Sequence, residues 1–527
     1  MGTRAVSLLS HGLAAFCLLC AGIAGASASE FRTPSISAVR VEWRAVLDQL
    51  RSEISSQPAI ASRFTFASRQ RVPARDPRAT PALVQLNAIN SAMFAGIGRS
   101  PVPVLLPFDT AAYLGAEAGG ARQPAVSRYQ ADFRPVDLFH AGPSGYDAVF
   151  SLDPGAGAGL PSRTFARPVE VQITGSILIY DLADPLGGKG EPVKSLAAQF
   201  PDMRRFIREG YVRYAFTRFG VPYVVSIQCL DSAPRARRLA CREAYPIAER
   251  FLKALRIAGG QPARPRFDIS SDVAERPTAA SADFTYRPSG DIVVNSGARR
   301  RGGRTDLIAY SQIRFPLQKA PVLVSSQQFG KRGSGQRQSV YPGVYPWRDN
   351  FCEARSFQVW QCAAGFGHQG QDIRPAPCPP NSNAEGSCHP RKQAVVAVRD
   401  GVVIRSPKQQ AATLQINTRN EHIRFRYMHM NPSAMDADGI LNGRRVAEGE
   451  KIGVVSNYLD FPNGTSYHLH FDVQVFTRDG WIWVNPYTTL IASYERLIHG
   501  RGREIGTDPP AAVAHALPED VLLRVSR

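Results

Sequence analysis

Six of the ten histidines fall between residues 368 and 470, and three of them stand beside an acid at short, regular spacing. The first cluster is Gly365-Phe366-Gly367-His368-Gln369-Gly370-Gln371-Asp372. A spacing of four suits one helix face, but three glycines in six residues oppose a helix, so His368 and Asp372 are expected to converge across a tight loop. The second is His468-Leu469-His470-Phe471-Asp472. On a strand, alternate residues share a face, so His468, His470 and Asp472 project together while Leu469, Phe471 and Val473 enter the core. Two imidazoles on a rigid strand, with an imidazole and a carboxylate on a loop, are the nitrogen and oxygen donors that Zn²⁺ prefers. A structural zinc closes all four positions; a catalytic zinc keeps one for water, leaving three protein ligands.

His389 beside Cys388 and His422 near a turn tip read as solvated surface groups, and His140, His499 and His515 have no visible partners. Asp472 reads either as an acceptor that orients a histidine or as a surface acid.

The elements that must position these residues are β-like from 313 onward. Val322 to Ser326 is a short strand, Val395 to Val398 and Val402 to Ile404 flank the turn Asp400-Gly401, and Leu414-Ile416 pairs with Ile423-Phe425-Tyr427. Upstream, Ile36, Val39, Trp43, Val46, Leu47, Leu50 and Ile54 follow helical spacing. Residues 60 to 165 are rich in loops and carry no motif. Val169, Val171 and Ile173 form a strand; Val212-Tyr214-Phe216 and Tyr223 to Ile227 form a hairpin; Pro246 opens a helix that Gly259-Gly260 closes. The fold class expected is an α+β N-terminal domain followed by a mainly β, antiparallel-sheet domain.

The region from roughly 313 to 490 resembles the LytM and lysostaphin type of zinc endopeptidase. The resemblance rests on His368-x-x-x-Asp372, then Tyr427-Met428-His429, then His468-Leu469-His470-Phe471-Asp472, in that order. Flanking text fits too: Ser325 to Arg332, Asp400-Gly401-Val402-Val403, Val446 to Gly453 and Val484-Asn485-Pro486. The resemblance implies one Zn²⁺ held by His368, Asp372 and His470, with His429 and His468 as the catalytic pair, either of which could be the base. It implies hydrolysis of peptide stems or cross-links in peptidoglycan. Related carboxypeptidases use a longer interval between the first histidine and the aspartate, so the interval of four favours the endopeptidase side. Two departures, the text from Asn457 to Gly464 and a loop from Cys378 to Cys388, bear on which peptide is taken. The rivals are a non-catalytic module that binds peptidoglycan or regulates hydrolases, whose members typically lack one of the five positions, and a secreted protease acting on proteins.

Met1 to Ala28 has one cation, Arg4, an apolar run from Leu13 to Ala24, and Ala26-Ser27-Ala28, the pattern of a cleaved secretory signal. The run is too short to span a bilayer, so no stable membrane anchor is expected and the protein is expected to be periplasmic or secreted. Phe16 and Leu19 precede Cys17 and Cys20, which argues against lipidation. The other six cysteines, Cys229, Cys241, Cys352, Cys362, Cys378 and Cys388, fall into neighbouring pairs and read as three local disulfides. No C-x-x-C pair among them suggests thiolate zinc ligation.

With 527 residues the chain can hold several domains. The organisation expected is a signal at 1–28, an N-terminal domain at 29–258, a Pro/Ser/Arg-rich linker at 259–305, the peptidase-like domain at 306–495 and a tail at 496–527. Hydrophobic residues at 44% and charged residues at 20% exclude a wholly disordered chain. The arginines at 299, 300, 301 and 304 read first as a solvated charge run, and as a partner for them and for the formal charge of +19 an anionic wall polymer suits an exported protein better than nucleic acid.

Overall fold

The strand patterns are realised as two antiparallel sheets that face one another in a computed structural model of the chain. It describes residues 35–55, 81–113, 131–152, 165–182, 188–229, 238–262, 283–292, 312–325, 346–375 and 393–506, apart from a few single positions. The signal segment, the arginine cluster, Cys378, Cys388 and His389 lie outside the described residues. Among the described residues no helix is long and apolar enough to cross a membrane.

The first sheet comprises β1 (Phe133–Gly142), β2 (Gly145–Leu152), β3 (Glu170–Ser176), β4 (Glu191–Pro192), β5 (Arg204–Arg208), β6 (Tyr211–Arg218) and β7 (Val221–Gln228). Its order is β1-β2-β3-β7-β6-β5-β4. The expected hairpin is present as β6–β7. One face, with Tyr146, Ile173, Tyr214 and Tyr223, packs on α1 (Trp43–Ser55), α2 (Pro81–Asn90) and α3 (Ala244–Ala254). The helix expected from Ile36 begins only at Trp43, because Ser35–Ala38 is a strand pairing with Leu178–Asp181. The closing end differs as well: α3 stops at Ala254, and Arg256–Gly259 extends to pair with Val104–Leu106. The β1–β2 hairpin, within text read as loops, is buried along most of β2 on both faces, which removes the alternation that marks a strand.

The second sheet comprises β8 (Val322–Val324), β9 (Gln371–Pro375), β10 (Gly401–Ile404), β11 (Ala412–Asn417), β12 (His422–Met428), β13 (Arg445–Val446), β14 (Leu469–Thr477) and β15 (Gly480–Val484). The order is β8-β9-β14-β12-β11-β10-β13, with β15 beside β9 on the same edge of β14. Leu414 faces Phe425 and Ile416 faces Ile423, as expected. The hairpin expected around Asp400-Gly401 does not form: Ala394–Val396 pairs with Lys451–Val454, and β10 pairs with β11 and β13. Leu469, Phe471, Val473 and Val475 enter a core closed by α4 (Tyr487–Ile498) and Trp347. Phe284–Tyr286, in text read as linker, pairs in parallel with Gly502–Glu504 from the text read as tail.

The opposite face of β14, with His470, Asp472, Gln474 and Phe476, and that of β12 meet the first sheet. Phe476 and Trp481 pack with Ile179, Ala215 and Val224, and Val402 and Ile404 with Leu138 and Val149. His422, expected at the surface, is fully buried here, its Nε2 2.9 Å from Asp147 Oδ2. Asp147 also takes Arg424 (3.2 Å) and Thr174 (2.7 Å). Burial opposes ionisation of Asp147, but His422 and Arg424 outweigh it and bring its pKa to about 2. The same sheet face therefore serves two purposes, contact with the first sheet over most of its length and the candidate site at its His470 end.

Candidate metal centre

Residues 346–370 form the loop that delivers the first histidine. A disulfide joins Cys352 and Cys362, as the cysteine spacing suggests, and a second joins Cys229 and Cys241. Cys352 N–H donates to His368 O (2.8 Å) and His368 N–H to Glu353 O (2.9 Å), so the bridge and the histidine share one folded unit. Asp349 anchors it, its buried carboxylate accepting from Phe351 N, Gln371 Nε2, Asn485 Nδ2 and Gly290 N at 2.6–2.9 Å. Gly370 has no alternative: a Cβ there would lie 2.4 Å from Phe471 O and 2.9 Å from His470 Nε2. The chain then enters β9, where Asp372 faces His470 across the ladder.

Three donor atoms converge. His368 Nε2 lies 2.9 Å from His470 Nδ1 and 3.2 Å from Asp372 Oδ1, and His470 Nδ1 lies 3.3 Å from Asp372 Oδ1. Donors about 2.0–2.1 Å from a tetrahedral zinc stand roughly 3.3 Å apart, so this triangle fits one face of the coordination tetrahedron. It is also the set of buried histidine and acid groups able to hold a metal ion among the described residues. Asp372 Oδ2, buried, has no hydrogen-bond partner there.

Each ring's other nitrogen is committed elsewhere, which sets the tautomer. His368 Nδ1 lies 3.0 Å from Asn350 O, and His470 Nε2 lies 3.3 Å from Asp472 Oδ2. Asp472 is fully buried, which decides between the two readings of it; it also accepts from Arg426 Nε (2.7 Å) and Trp483 Nε1 (3.0 Å).

His429 and His468 stand beside this triangle, their ring centroids 4.6 Å apart, and His429 is 6.0 Å from His470. His429 Nδ1 lies 2.8 Å from Tyr458 O and His468 Nδ1 2.7 Å from Ser466 O, each a backbone carbonyl. His468 Nε2 is 3.3 Å from Asp372 Oδ1. His429 has a left-handed backbone, φ 70°, and its N–H is taken by Gln410. Burial, reinforced by the His468 and His470 rings, holds its pKa well below the usual histidine value, and burial lowers His468 despite Asp372. Burial also disfavours charge on His470, but hydrogen bonds to Asp372 and Asp472 outweigh it and raise the value. Asp372 is held well below the carboxylate range, since His468 and His368 outweigh its burial.

All five motif residues thus come together. The supporting set, Asn350, Tyr458, Ser466, Arg426 and Trp483, carries no motif; three of these act through backbone carbonyls, which any residue type supplies.

The sequence model of peptidase family M23 matches residues 387–486, which include His429, His468 and His470; His368 and Asp372 lie upstream. No curated protein matches the chain. Two solved structures are similar to parts of it. A Ruminococcus gnavus chain described as a glycyl-glycine endopeptidase LytM is 18% identical over 39% of this chain and 65% of its own, with a TM-score of 0.20. Helicobacter pylori Csd3 is 15% identical over 62% of this chain and 49% of its own, with a TM-score of 0.16. The chain thus spans just under two thirds of the first and about half of the second.

Proposed function

We propose, from the match of residues 387–486 to the peptidase family M23 model, that this chain is an exported zinc metalloendopeptidase that hydrolyses peptide bonds in peptidoglycan. The observation that carries the reading is the triangle of His368, Asp372 and His470 donors at 2.9–3.3 Å with two further imidazoles beside it. His368, Asp372 and His470 would hold the zinc, which would supply a water of lowered pKa and polarisation of the scissile carbonyl. The protein does the rest. His429 and His468, each with Nδ1 tied to a carbonyl oxygen, present Nε2 to take or return a proton, and their burial keeps them neutral and able to act as bases near neutral pH. Protonated in turn, either can donate to the leaving amine. His470 is steered by Asp472, and the loop 346–370 keeps His368 from rotating.

The five positions being complete favours the enzyme over a non-catalytic wall-binding module. Export is supported by the Met1 to Ala28 pattern and by two disulfides. The test is zinc content, together with peptide release from purified sacculi and from casein, for the wild type and His470→Ala. The wild type should hold one zinc and release wall peptides, and the variant should lose both. A metal-loaded wild type that leaves sacculi intact would sink the wall reading; cleavage of casein alone would make the protein a general protease.

A further inference from the structure

We propose that Arg374 is the specificity residue of this site, receiving a free carboxylate of the substrate within about one residue of the scissile bond. The inference rests on the peptidase reading and deepens it by naming the group the groove selects.

Strand β9 alternates, so Asp372 and Arg374 share the metal face while Ile373 is fully buried on the other. The β9–β14 register pairs Asp372 with His470 and Ile373 with Leu469, and Arg374 is the next residue along β9. The Arg374 side chain is 19% exposed, in contrast to Asp372 at 0%. Its Nη1 donates to Ser466 Oγ (3.1 Å) and Tyr467 O (3.3 Å), both neutral acceptors. Its Nη2 is 4.0 Å from Asp372 Oδ2, too long for a hydrogen bond. The guanidinium is thus fixed in place at one nitrogen, and among the described residues its remaining donors have no acceptor at hydrogen-bond distance.

Nearby, Glu353 is already paired with Arg355 at 3.0 Å. Asp372 is committed to the metal position, where a divalent ion leaves net positive charge. An anionic group is what the mouth of this site lacks, and a carboxylate matches the fork of a guanidinium. Reach limits the distance: Nη2 is 4.0 Å from a metal-donor carboxylate, comparable to the roughly 3.8 Å between successive Cα atoms, so the recognised carboxylate belongs to the scissile residue or its neighbour.

The competing role is structural, since the same two bonds staple the Ser466–Tyr467 turn whose carbonyl orients His468. Two synthetic cross-linked peptides, identical except that one carries the carboxylate and the other its carboxamide, separate the roles. The zinc-loaded full chain should favour the acid in kcat/KM by tenfold or more, the scale of a hydrogen bond to a charged group. Arg374→Gln should erase that preference through KM for the acid, leave the amide within about twofold, and keep its zinc. Arg374→Lys, which keeps the charge but not the fork, should fall between. Equal losses on both peptides with the preference retained, or no preference in the wild type, would overturn the proposal. Calorimetric binding of both peptides is the second readout: selective binding without cleavage would fail the peptidase reading and support this one, and no selectivity in either readout would overturn it.

Discussion

Asp472 shows how a ligand is held as well as supplied. Its two oxygens accept from His470 Nε2, Arg426 Nε and Trp483 Nε1, so His470 is presented to the metal position through Nδ1 by a buried acid that is itself fixed. Such supporting partners typically change metal affinity by about 10–100-fold when lost. Asp472→Asn should weaken zinc binding by that factor, read by competition with a chromophoric chelator, without unfolding the domain. Unchanged affinity would remove the positioning role. The period-two reading of His468-Leu469-His470-Phe471-Asp472 placed these side chains on one face correctly. It could not tell a buried acid from an exposed one, because burial here depends on Arg426 and Trp483 from two other strands.

At the scale of elements, the site is the junction of a strand and a braced loop. Strand β14 is legible from alternation, whereas the loop 346–370 owes its shape to the disulfide, the Asp349 hydrogen bonds and the glycine at 370. A ten-residue loop closed by a disulfide gains somewhat under roughly 3 kcal/mol. Cys352→Ser with Cys362→Ser should lower unfolding stability by up to about that amount in urea titrations and reduce zinc affinity together with it. Gly370→Ala should be worse for the site than for the fold's remainder, since the added methyl meets a backbone oxygen of β14. Near-normal zinc content in the alanine variant would show that β9 and β14 can move apart.

For the whole molecule, the contact between the sheets is polar at its centre. Asp147 of the first sheet is fully ionised by His422, Arg424 and Thr174 around it. Its folded pKa of about 2 lies below the ordinary 3.8, so the stabilisation is complete above about pH 4 and is lost as pH falls through 2. The size is on the order of 2 kcal/mol. Asp147→Asn should cost that much at pH 7 in urea unfolding followed by tryptophan fluorescence, Trp481 lying under Arg424 at 3.9 Å. The cost should shrink toward pH 2, and an equal cost at both pH values would disprove the linkage.

The order of the motifs, the donor types and the alternation around His470 were determined by the sequence alone, because ligand chemistry and strand periodicity are local. The convergence of His368 with a strand about 100 residues later, the burial of Asp472 and His422, and the two-sided use of one sheet face were decided only in three dimensions. Each of those depends on which elements pack together, and hydrophobic burial specifies that through the whole chain at once.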